Sequence, residues 1–183
     1  MIKKLLIVAV MFGTLSSYTS NVLVENKITN NDINNISVVI KDASGTVVQL
    51  STVNYKGDAK ALFDYSQLEK GTYTLEIDTK FQIEITSFKV TEQGVEFFDK
   101  DVQTIYKPIF QKEDAKILIS KVGLDSNKMK VELYYENELI HSEIISSENP
   151  ILKRAYKLDR TERGDYAAVM TSNGRVYTEK FKL

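Results

Sequence analysis

The chain carries one histidine, His141, and no cysteine. Those two facts remove thiolate nucleophiles, disulfides, zinc centres of the Cys/His kind and any triad that needs a second imidazole. Carboxylates are the chemistry that remains, because a glycosidase needs only two of them, about 5 to 10 Å apart, in a cleft. Asp64 with Asp78 and Asp159 with Asp165 are candidate pairs, but each falls in a turn or on a solvent-facing strand position, where charge is the ordinary occupant. Asp32-Ile-Asn34 and Asp125-Ser-Asn127, joined by Asp42 or Asp58, supply the oxygen ligands a calcium loop would use. Asx turns account for the same residues without a metal. His141 lies in Leu139-Ile-His-Ser-Glu-Ile144, where alternation puts it on the exposed face opposite Ile140 and turns Ser142 away from it. On this reading the protein is not an enzyme and takes no cofactor and no metal.

Charge narrows the partners. The 183 residues hold 24 Lys+Arg against 25 Asp+Glu, and no basic run stands out, which argues against nucleic acid. At 43% hydrophobic and 27% charged, the chain has the composition of a folded globular protein. Lys3-Lys4, the apolar run Leu5 to Gly13 and the small polar stretch Thr14 to Ser20 form the three-part pattern of a secretory signal, read as a helix over residues 1–20. An apolar helix of that length rises only about 14 Å, too little for a permanent transmembrane anchor. Cleavage is expected between Ser17 and Ser20, and without cysteine the product is not a lipoprotein. The mature chain is then mildly acidic and stands on hydrophobic burial alone.

The elements that follow read as strands. Ile36-Ser-Val-Val-Ile40, Thr46-Val-Val-Gln-Leu50, Thr72 to Ile77 and Lys130 to Tyr134 alternate or run apolar, and no segment of helical length shows a period near 3.6. Turn residues separate them, and Asn173-Gly174 is a strong type I′ hairpin signal. An offset of 93 residues lays Val38 on Val131, Ile40 on Leu133, Gly71 on Gly164, Tyr73 on Tyr166 and Phe88 on Phe181. The expected architecture is all-β, with two tandem immunoglobulin-like or fibronectin-III-like antiparallel sandwiches at 21–90 and 113–183 behind the signal. Residues 91–112 are expected to connect them as a β-hairpin or an interface.

In each half a polar turn runs into Gly and then Tyr, as Glu69-Lys-Gly71-Thr-Tyr73 and Glu162-Arg-Gly164-Asp-Tyr166. A glycine with positive φ would close the loop, and the tyrosine would bury its ring and send its hydroxyl to a loop carbonyl, the tyrosine corner of such folds. With Asn173 and Gly174, these four residues form the structural signature. The strings Val38 to Val48 and Phe63 to Ile77 resemble the immunoglobulin-like C-terminal domains of exported Bacteroidota proteins, a group that includes type IX secretion sorting domains. The second half is similar but more diverged, with Tyr135-Glu-Asn-Glu138 where the first has Asp42-Ala-Ser-Gly45. That resemblance implies a fold and a secretion route more than a chemistry.

Adjacent aromatics supply the candidate binding surface. Tyr134-Tyr135 and Phe97-Phe98 each place one ring away from the core, as a stacking platform for sugar or a patch for a partner. Phe98, Tyr106 and Phe110 are expected to pack the two domains together instead. The leading expectation is a non-catalytic, exported protein-interaction or structural module of the periplasm, the cell surface or the medium. Its expected partner is another envelope protein. A type IX sorting-type domain is the first alternative, and a carbohydrate-binding module taking polysaccharide is the second.

Overall fold

A computed structural model describes residues 35–54 and 64–183. The expected signal helix and the remainder of the first sandwich, 21–34 and 55–63, lie outside the described residues. What is described is all-β and antiparallel, in two compact units that divide between Ile105 and Tyr106.

In the first unit, β1 (Asn35–Lys41), β2 (Val47–Asn54), β3 (Gly71–Asp78), β4 (Gln82–Thr91) and β5 (Gly94–Phe97) line up in the order β2-β1-β3-β4-β5. A sixth strand, β6 (Gln103–Tyr106), also pairs with β4. Strand alternation decides what is buried: Tyr73, Leu75 and Ile77 face inward while Thr74 and Glu76 do not. They meet Ile36, Val38, Ile40, Phe88 and Val90 in one cluster, closed at its rim by Tyr65, Leu68 and Phe97. Phe88 is the pivot, fully buried, with Tyr73 stacked at 5.4 Å and Tyr65 edge-on at 5.1 Å.

The second unit is a two-sheet sandwich. One sheet runs β10 (Glu138–Ser146), β9 (Lys128–Tyr135), β12 (Asp165–Ser172), β13 (Arg175–Lys182). The other runs β11 (Ile151–Lys157), β8 (Lys116–Val122), β7 (Ile109–Glu113). One core cluster draws on both, with Ile117, Ile119, Leu152 and Tyr156 from the three-stranded sheet and Val131, Leu133, Ala168 and Met170 from the four-stranded one. The order β10-β9-β12-β13 repeats β2-β1-β3-β4, and the offset of 93 residues carries buried Val38, Ile40 and Tyr73 onto buried Val131, Leu133 and Tyr166.

The stretch 91–112 holds β5 and β6, both paired with β4, and β7, paired with β8. Phe110 on β7 sits in the second unit's own core, 5.2 Å from the Phe181 ring, while Phe98 and Tyr106 are half-buried.

Turn chemistry sets the registers. Asn173 and Gly174 have φ of 51° and 71°, which lets two residues close β12 onto β13 with Ser172 opposite Arg175. Glu136 and Asn137, at 48° and 66°, make an equally tight turn from β9 to β10. Between β1 and β2 the loop is longer, and the Asp42 carboxylate accepts from Ser44 N at 2.8 Å and Thr46 N at 3.0 Å.

Candidate functional site

Of the two Gly-x-Tyr glycines, neither acts through φ, and Gly164 acts through space. Positive φ among the described glycines belongs to Gly45, Gly94 and Gly174, so Gly71 and Gly164 need no left-handed backbone, contrary to expectation. A Cβ on Gly164 would collide with Glu136 Oε1 and stand 2.8 Å from Tyr135 Cε2. Gly71 has ordinary room, its nearest neighbour being Tyr73 Cε2 at 3.6 Å. The tyrosines that follow make matching bonds: Tyr73 Oη donates to Glu69 O at 2.8 Å, and Tyr166 Oη to Glu162 O at 2.7 Å. Burial, together with Tyr135 and the nearby Glu162, Asp159 and Glu136 charges, raises the Tyr166 hydroxyl pKa to about 12.

The four aromatics of the candidate surface separate by depth. Tyr135 packs on the second core, its ring 4.9 Å from Tyr166 and its hydroxyl donating to Arg163 O at 3.2 Å. Phe97 packs on the first core, 5.3 Å from Phe88 and 5.7 Å from Tyr65. Phe98 is half-buried and donates its backbone N–H to Ser87 O. Tyr134 alone of the four lines a groove, of about 450 Å³, with Asn137, Asp165, Ala167, Lys180 and Lys182 among its walls. The groove's charges engage one another: Lys182 pairs with Asp165 at 3.1 Å, and Glu136 accepts from Asp165 N at 2.8 Å. Tyr135 and Phe97 are thus used in the two cores, and Tyr134 is the one of the four that faces a groove.

Asp42, Asp64 and Asp159, three of the carboxylates of the sequence reading, lock turns. Asp64 accepts from Ser66 N at 3.0 Å, Asp159 from Thr161 N at 2.9 Å and Thr161 Oγ1 at 2.8 Å. Hydrogen bonds, from Ser44 on Asp42, from Ser66 on Asp64 and from Thr161 on Asp159, lower all three carboxyl pKa values. Asp125 is the partner of Lys121, which donates to its Oδ1 at 2.5 Å and to Val122 O at 3.1 Å. Both side chains are almost fully buried, at 0% and 3% exposure, and Asp125 Oδ2 has no hydrogen-bond partner. Asp32, Asn34 and Asp58 lie outside the described residues. Among the described residues no group of three metal-binding side chains converges.

A polar cluster that alternation did not foresee ties β10 to β11. Glu143 accepts from Tyr156 Oη at 2.7 Å and from Arg154 Nη2 at 2.9 Å, with His141 Nε2 at 3.5 Å. Burial pushes the Glu143 carboxyl upward, but the Tyr156 hydroxyl, the Arg154 guanidinium and His141 outweigh it and hold its pKa below the ordinary value. Burial and the Glu143 charge raise the Tyr156 hydroxyl far above its usual value. His141 is therefore half-buried against the Tyr156 ring, 5.5 Å away, and not the exposed strand residue that strict alternation implies. The cause is a register shift between Leu139 and His141, which lets Ile140 pack toward the core. Glu143 on β10 thus engages Tyr156 and Arg154 on β11, a clasp between the two sheets in which Arg154 Nε is left without a hydrogen-bond partner.

Two antiparallel β-sheets over one core in the second unit, and tyrosine corners in the loops before β3 and β12, give the described residues an all-β fold of the immunoglobulin-like kind. Residues 19–91 match the family of secretion system C-terminal sorting domains. No curated protein matches the chain. Among solved structures it is similar to a chimeric titin Z1Z2 tandem functionalised with an exogenous GRGDS peptide from fibronectin, at 11% identity and a TM-score of 0.26, with 82% of this chain and 83% of that one covered. It is also similar to extracellular domains 3–5 of Drosophila OTK, at 8% identity and a TM-score of 0.22, covering 81% of this chain and 85% of that one.

Proposed function

We propose that the chain is a non-catalytic, exported bacterial envelope protein whose first unit is read by a secretion machine of the type IX kind, and whose second unit works by protein contact. The observation that carries the reading is the sorting-domain match over 19–91, which includes all of the β2-β1-β3-β4 sheet. The shared strand order supports reading the two units as a tandem, and on this reading the segment 1–20 serves as the signal for crossing the inner membrane. Further support for a contact role is chemical: the charged groups of the clusters described above pair chiefly with one another, Lys121 with Asp125 and Arg154 with Glu143.

The test is localisation in a Bacteroidota host. Phe88→Asp breaks the first core and Met170→Asp the second. A first-unit sorting role expects Phe88→Asp protein to stop in the periplasm while Met170→Asp protein still reaches the surface or medium. Equal export of both variants would refute it.

A further inference from the structure

Edge strands are normally defended by charge, because an undefended edge offers its free N–H and C=O groups to another strand. Among the described residues β2 hydrogen-bonds on one side, to β1, and is the outer strand of its sheet. Its eight residues, VVQLSTVN, include no charged side chain. Val47, Val48 and Leu50 on it are 51%, 44% and 66% exposed. The other sheet edges differ: β5, β7, β10, β11 and β13 each carry at least one Glu, Lys or Arg. Among the described edge strands β6 alone shares the neutrality, and it is four residues long.

We infer that β2 pairs antiparallel with β2 of a second copy, across a two-fold axis, joining two first-unit sheets into one. The choice of occupant follows from charge. A charged edge laid on β2 would set a Lys, Arg or Glu among Val47, Val48 and Leu50 with no counter-charge on the strand to meet it. A second β2 brings neutral residues at every register, and an isologous contact lets each copy donate and accept through the same backbone groups. The exposed Val and Leu side chains on both strands then cover one another at no electrostatic cost. The contact is independent of the sorting role and stands or falls separately from it.

The experiment is sedimentation equilibrium on the full chain, with Leu50→Lys and, separately, Thr52→Lys, both at exposed positions of β2, and Ser142→Lys on the already charged edge β10 as the control. Each β2 variant places a lysine from both copies within the same short strand pair, and is expected to weaken dimerisation about tenfold or more, with far-UV circular dichroism unchanged. Ser142→Lys is expected to leave the dimer intact. A chain that stays monomeric up to about 100 μM, or a dimer indifferent to both β2 variants, overturns the inference.

Discussion

The hydroxyl of Tyr166 donates to the carbonyl of Glu162, four residues back, at 2.7 Å, and Tyr73 repeats the bond to Glu69 at 2.8 Å. Each bond pins the loop that delivers the chain into a central strand, β12 or β3. Removing the hydroxyl leaves a carbonyl to find water at the rim of the core, so Tyr166→Phe is expected to cost about 1 kcal/mol in chemical denaturation. The raised pKa adds a sign: the folded state holds the Tyr166 proton more tightly than the unfolded one. Its contribution is complete below pH 10.0 and lost as pH rises through about 12, where absorbance at the phenolate band should report ionisation.

Lys121 and Asp125 give a sharper test, because neither reaches solvent. Asp125→Ala strands a buried ammonium and is expected to cost about 3–5 kcal/mol. Lys121→Met combined with Asp125→Leu removes both charges and should recover most of that loss. A double-mutant cycle in urea reads the coupling directly, and additive losses would show that the pair is not what holds the β8–β9 loop.

Glu143 is held ionised by Tyr156 and Arg154 despite the burial that opposes it. Its folded pKa lies below the unfolded 4.5, so its contribution is present above pH 4.5 and lost as pH falls through the folded value. Glu143→Gln is expected to lower stability at pH 7 by about 2 kcal/mol. The gap between variant and wild type should narrow on acidification, and urea midpoints at the two ends of that range measure it.

Glycines at three positions separate two mechanisms. Gly174 sits at a φ of 71° with open space around it, so Gly174→Ala pays backbone strain alone, about 1 kcal/mol or more. Gly164→Ala must move Glu136 and the Tyr135 ring, and should perturb the Tyr135 environment in near-ultraviolet circular dichroism as well as stability. Gly71→Ala meets only ordinary contacts and is expected to cost the least of the three.

Local periodicity made much of this fold legible. The inward parity of Val38, Ile40, Tyr73 and Leu75 and the turn at Asn173-Gly174 are properties of neighbouring residues, which a sequence displays. Lys121 shares the parity of buried Ile117 and Ile119, but a charge on that parity reads as a surface residue until a partner is known. Asp125 becomes that partner only when the loop after β8 turns back. The Glu143–Arg154–Tyr156 clasp was out of reach for a different reason: it joins β10 to β11, and the register shift after Leu139 reverses the face that simple alternation assigns to His141. The same limit applied to the aromatics, where adjacency told that one ring of each pair turns outward but not that Tyr135 and Phe97 complete the two cores.

The most direct test of an exported sorting-type protein is the intact mass and N-terminal sequence of the native chain, recovered separately from cytoplasm, periplasm, outer membrane and medium. The account predicts a chain that begins between Tyr18 and Asn21 and is found at the surface or in the medium. A chain that keeps Met1 and stays in the cytoplasm would contradict it.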